Sequence, residues 1–139
     1  MITQLSVFLQ NKPGELMKVT KLLADEKIQI RALTVAETAD YGILRIIVDK
    51  PEKCYEILKS KNILVGKTNV LAVEMVDKPG GLNDIAHTLG ENGCNIEYLY
   101  AFVAKERAVL VLQISESHFE KAQDILGDNL IPPEEIYNL

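Results

Sequence analysis

A chain of 139 residues, 47% of them apolar and 25% charged, can build one ordinary globular domain or two very small ones. Its net charge of −5, with no Lys/Arg stripe, argues against nucleic acid as a partner, because that affinity rests on neutralising phosphates. No apolar run approaches the ~18 residues of a membrane span, so no membrane partner is expected. MITQLSVFLQNKPG lacks a charged segment leading into a long apolar one, so it does not read as a signal peptide. Cys54 and Cys94 stand alone without metal or redox spacing, and the expectation is two reduced thiols in a cytoplasmic protein.

In chain order, LSVFLQ alternates apolar and polar residues as a half-buried strand does. NKPGEL, residues 11–16, follows as a turn and opens a helix with Leu16, Val19, Thr20 and Leu23 on one face. IQIRALTVAE and YGILRIIVD are β-rich, and PEKCYEILKS is a short amphipathic helix. The chain then starts again. DKPGGL, residues 77–82, lies 66 positions after NKPGEL, and residues 5–48 can be laid on 71–114 without a gap. In that register Lys12, Pro13, Gly14 and Leu16 match Lys78, Pro79, Gly80 and Leu82, while Leu23, Ile30, Leu33 and Leu44 match Leu89, Ile96, Leu99 and Leu110. A second helix carries Leu82, Ile85, Ala86 and Leu89, and Gly93 is placed to stop it. CNIEYLYAFVA and RAVLVLQIS then read as strands, SHFEKAQDIL as a helix, and the last strand of each copy as brief.

One duplication of a β-α-β-β-α-β unit predicts an α+β protein. It would hold two tandem ferredoxin-like units, each an antiparallel sheet with its helices on one face. The domains fall at residues 1–66 and 67–139, the second with a short C-terminal tail. The alternation leaves Phe8, Ile43, Ile47, Val109 and Val111 on the sheet faces that no helix of their own copy covers, which predicts a homodimer or face packing between the two copies.

A strand ending in Asx-Lys-Pro-Gly-x-Leu, an amphipathic helix, and Asn/Gln-Ile opening the next strand together resemble the ACT domain. Both copies carry the pattern, with Gln29-Ile30 in the first and Asn95-Ile96 in the second. The resemblance covers almost the whole chain, and the first copy is also similar to the N-terminal domain of acetolactate synthase regulatory subunits. ACT domains are regulatory modules that bind amino acids at interfaces between domains. The resemblance therefore implies ligand contacts at the Asx residues Asn11 and Asp77, along Gly14, Glu15 and Leu16, along Gly80, Gly81 and Leu82, and at Gln29 and Asn95. This chain departs from the pattern twice, since Asp77 replaces an amide and Gln29 replaces the shorter Asn, so the copies are not equivalent sites.

The chemistry of the turn agrees. A helix N-terminus offers unpaired N–H groups and the positive end of a dipole, which favours a carboxylate by roughly 0.3–1 kcal/mol. Gly14 and Gly80 allow close approach to the backbone, and an Asx side chain accepts from an ammonium, with charge assistance at Asp77. Pro and Asx residues also simply start helices, and a ligand-free interaction module is a further reading.

Tyr98, Tyr100 and Phe102 alternate where the first copy has Ala32, Thr34 and Ala36; they could line a pocket for an aromatic amino acid or fill a sheet face. His87 and His118 lack metal spacing and are expected in solvent. Arg45 stands mid-strand where the second copy has Val111, and Asp25-Glu26 and Glu134-Glu135 read as solvent-facing carboxylate pairs. No GxGxxG, GxxxxGK[ST], HExxH or GxSxG occurs. The expectation is thus a non-enzymatic sensor without cofactor or metal, whose ligand is a free amino acid and whose readout is a separate metabolic enzyme. A regulatory subunit of acetolactate synthase is the first alternative.

Overall fold

Strand periodicity puts Leu5, Val7 and Leu9 on one side of β1 (Ile2–Gln10), and helical periodicity puts Val19 and Leu23 on one side of α1 (Glu15–Asp25). In the computed structural model, which describes residues 1–37 and 40–139, these five side chains meet in one buried cluster. The chain divides into two compact units. One holds Thr3–Thr68 with Ile136–Asn138, and the other holds Met1–Ile2, Asn69–Glu135 and Leu139.

In the first unit α1 is followed by β2 (Ile30–Glu37), β3 (Tyr41–Val48), α2 (Pro51–Ser60) and the opening residues of β4 (Val65–Met75). β3 lies antiparallel between β1 and β2, with Leu5 opposite Ile46 and Val7 opposite Leu44. β2 is left at an edge. On the other side of β1, the Phe8 N–H donates to the Leu64 carbonyl at 3.0 Å. Leu44, Ile46, Val48, Cys54 and Leu58 complete the core under both helices.

The second unit repeats the order, with the remainder of β4, α3 (Gly81–Glu91), β5 (Ile96–Ala104), β6 (Arg107–Ile114) and α4 (Phe119–Leu126). β6 is antiparallel to both β4 and β5, with Leu71 opposite Leu112 and Leu99 also opposite Leu112 on the other side. The brief last strand is a single bridge, Val73 opposite Leu130, beside which Ile131 N–H donates to Ala72 at 2.8 Å. Leu71, Val73, Leu89, Leu110, Leu112, Ile114, Ala122 and Leu126 form the core. Each unit is thus an antiparallel sheet with its helices on one face, as the duplication predicts.

Both first helices stop on a residue in the left-handed region. Gly93 (φ 73°) ends α3, and Lys27 (φ 59°), its counterpart 66 positions earlier, ends α1. The carbonyls these stops serve are equivalent, with Cys94 N–H reaching Leu89 and Ile28 N–H reaching Leu23, both at 2.9 Å. The backbone geometry is therefore kept where the glycine is not.

Of the five apolar residues that no helix of their own copy covers, Ile47, Val109 and Val111 are fully buried within the chain, whereas Phe8 stays 37% exposed and Ile43 is half-buried. Two other expectations need correction. The last residues form helix α5 (Pro133–Tyr137), whose Ile136 is fully buried. In the first unit the Tyr137 hydroxyl accepts from Thr3 N–H and its carbonyl accepts from Arg31 Nε, both at 2.8 Å. These bonds hold the C-terminal residues at the beginnings of β1 and β2. Glu135 is not simply solvated either, because in the second unit Arg107 bridges it and Glu74.

Lys27→Gly relieves a left-handed side chain, whose cost is about 1–2 kcal/mol, but loosens the unfolded chain by about 0.4–1 kcal/mol. The expected outcome is a small net gain in denaturant midpoint, with the slope unchanged. Burial, and secondarily Asp49, pushes the Cys54 thiol from the ordinary 9.0 up to about 12. The neutral thiol suits the fold, so its contribution is complete below pH 9 and is lost as pH rises from 9 toward 12. Native protein at pH 8 should leave Cys54 unalkylated by iodoacetamide, and unfolding should expose it.

Candidate ligand-binding turns

The two Lys-Pro-Gly turns have nearly the same backbone. Gly14 (φ 88°) and Gly80 (φ 91°) are the N-caps of α1 and α3, in the left-handed region that side chains disfavour. Lys12 N–H donates to Gln10 and Lys78 N–H to Val76, each at 2.9 Å; one turn later Lys18 N–H reaches Gly14 at 3.1 Å and Asp84 N–H reaches Gly80 at 3.0 Å. Neither helix has a side-chain cap. Asn11 and Asp77 stand three residues ahead of the caps, so they do not start the helices in the way Asx residues commonly do. Among the described residues their side chains make no hydrogen bond or ion pair beside the turn.

Each turn borders a cavity. The first, of about 340 Å³, is lined by Leu9, Gln10, Asn11, Lys12, Glu15, Leu16, Val35, Glu37 and Gly42. The second, of about 420 Å³, is lined by Met75, Val76, Asp77, Lys78, Gly80, Leu82, Asn83 and Ala86. An apolar wall with a few charged groups is the usual composition of a small-molecule site. Sequence reasoning had named Asn11, Glu15, Leu16, Asp77, Gly80 and Leu82 among these. It missed Val35, Glu37 and Gly42, which reach the first turn only because β2 and β3 run back alongside it. Lys78 and Asn83 were legible, standing within three residues of named positions.

The remaining candidates lie elsewhere. Gln29 follows the far end of α1, an eleven-residue helix that rises about 16 Å at 1.5 Å per residue. Its backbone N–H donates to Asp49 Oδ1 at 3.0 Å, and its carbonyl accepts from Asp49 N–H at the same distance. Asn95 is the counterpart beyond α3, where its N–H donates to His118 Nδ1 at 3.3 Å and its side chain to Ser115 Oγ at 3.1 Å. His118 is thus a structural acceptor rather than a solvated residue, whereas His87 is exposed. Tyr98 pairs with Gln113 on the strand face shared with Val109 and Val111, opposite the helix-facing Leu110 and Leu112. Within either unit, then, no single ligand spans the turn and the start of the second strand.

The turns differ in charge. Glu15, the first residue of α1, has a side chain only 17% exposed, and its Oε1 lies 3.6 Å from Lys12 Nζ and 3.2 Å from Lys18 Nζ. Gly81 takes that position in the second copy. A Cβ at Gly81 would run into the Val76 carbonyl oxygen, because the turn is drawn tighter there by the bond from Gly81 N–H to Lys78 at 3.0 Å. Among the described residues no group of three His, Cys, Asp or Glu side chains could hold a metal, and no helix is long and apolar enough to cross a membrane.

The chain matches the family model of the ACT domain pair over residues 1–132 and belongs to that family. Among solved structures it is similar to protein BT0572 from Bacteroides thetaiotaomicron, at 38% identity and a TM-score of 0.92, covering 99% of this chain and 96% of that one. The ligand-free regulatory subunit of aspartate kinase from Thermus thermophilus shares the fold at 18% identity and a TM-score of 0.65, with 89% of each chain covered. The aspartokinase alpha and beta subunits share it at 19% identity and a TM-score of 0.58, over 100% and 99% of the two chains. No curated protein matches the chain.

Gly81→Ala should be the costly change at the second turn, by about 1–3 kcal/mol of overpacking. Urea denaturation would show it as a lowered midpoint, against a Gly90→Ala control, whose Cβ would meet open space and whose better helix propensity should raise the midpoint slightly.

Proposed function

We propose that this ACT domain pair is a non-catalytic regulatory protein that binds a free amino acid at its Lys-Pro-Gly turns. One observation carries the reading. Both helices are capped by glycine backbone alone, which leaves an Asx side chain unused beside a cavity at the positive end of a helix dipole. The α-carboxylate would face the helix start, at Gly14–Leu16 or Gly80–Leu82, and the α-ammonium would face Asn11 or Asp77.

Gln29 and Asn95 lie at the far ends of their helices, so in this reading they complete a site only when supplied by another copy of the chain. The edge strands have the surface for such pairing. Leu33 and Val35 on β2 are 53% and 49% exposed, and Val103 on β5 is 66% exposed. Ligand held by two subunits would favour one arrangement over another, to the extent of its differential affinity for the two. A separate metabolic enzyme would read that arrangement. The fold shared with a protein named as the regulatory subunit of aspartate kinase supports a separate regulatory chain.

Thermal melting against the twenty amino acids at millimolar concentration tests the proposal. A ligand at about 100 times its dissociation constant adds roughly 2.7 kcal/mol, a rise of several degrees in a chain of this size. One chemical class should raise the melting temperature selectively. Valine or leucine as that class would favour a regulatory subunit of acetolactate synthase, and a flat screen would reduce the turns to ligand-free structural elements.

A further inference from the structure

Resting on the amino-acid reading, we infer that the two turns are not two working sites: Glu15 is a built-in plug in the charge sense, a carboxylate that takes the place of the ligand's own at the first turn and leaves the second as the binding turn. The groups are matched position by position. A bound amino acid must place its carboxylate near the helix start and near the turn lysine. In the first unit that place is taken by a carboxylate of the chain itself. The Glu15 side chain lines the cavity, is mostly buried, and engages both Lys12 and Lys18. An incoming carboxylate would meet Glu15 and Glu37 on the cavity wall and find Lys12 already paired. Repulsion between like charges in a partly enclosed site disfavours that encounter.

The second turn is arranged the other way. Gly81 leaves no side chain at the corresponding position, and a Cβ there would collide with the Val76 carbonyl oxygen. Among the described residues Asp77 and Lys78 make no ion pair, so the turn presents one carboxylate and one ammonium, both uncommitted. That pair is complementary to a zwitterion. The first turn offers Asn11 as a neutral acceptor, but its lysine is already paired with Glu15. The duplication thus holds one sensing copy and one whose turn is occupied from within.

The test is amide NMR of the full chain titrated with glycine, the smallest molecule carrying both charges, at tens of millimolar. In the native protein the amides of Gly80, Gly81 and Leu82 should shift, and those of Gly14, Glu15 and Leu16 should not. In Glu15→Ala the amides of Gly14 and Leu16 should begin to shift as well. The ion pairs lost are solvent-accessible on the lysine side and contribute little to stability, so the variant should fold. Glu15→Gln, which keeps the bulk and loses the charge, gives a second reading if it does not. Equal shifts at both turns of the native protein, or an unresponsive first turn in both variants, would overturn the plug while leaving amino-acid binding intact. No shift at either turn in any variant would overturn the binding reading together with the inference built on it.

Discussion

A glycine in left-handed backbone at the start of a helix is the constraint on which both units depend. Gly14 and Gly80 hold φ near +90°, and that geometry lets the chain leave β1 or β4, turn through Lys-Pro, and enter a helix packed on the same sheet. A side chain there would cost about 1–2 kcal/mol in that backbone conformation. Because the cap is made of backbone, the Asx residue three positions earlier is released from structural duty. The fold thereby creates an available polar group next to the N–H groups of a first helical turn, and the functional reading grows from that release.

Duplication kept this backbone and let the side chains diverge. The exposed Phe8–Tyr41 ring pair of the first unit, with centroids 6.0 Å apart, corresponds in the second to the Glu74–Arg107 ion pair. Gln29 N–H is held by the Asp49 carboxylate, while its counterpart Asn95 N–H is held by the His118 ring nitrogen. Lys27 keeps the left-handed stop that Gly93 makes without strain. In each case the geometry of the hydrogen bond or turn persists and the group that satisfies it changes. The Glu15 and Gly81 pair belongs to the same pattern, with consequences for binding instead of stability.

The C-terminal residues show how a short segment can matter to a small core. Pro133–Tyr137 is only one helical turn and a half, too short to be stable alone. Ile136 is nevertheless completely buried, and Tyr137 is fixed by two hydrogen bonds of 2.8 Å. Tertiary contact supplies what local propensity lacks.

By itself the sequence determined the repeat, the order of elements, the helix-facing core and the turn residues. Each is written in local periodicity or in an offset of 66 positions, and neither requires knowing what lies across the fold. Tertiary structure alone decided three further matters. It put Val35, Glu37 and Gly42 at the first turn, because antiparallel pairing brings distant residues alongside. It separated Gln29 and Asn95 from the turns by the length of a helix, a distance that sequence proximity conceals. It also turned Glu15 into the cavity between two lysines, since the direction of a side chain at a helix start depends on the backbone angles of the turn before it.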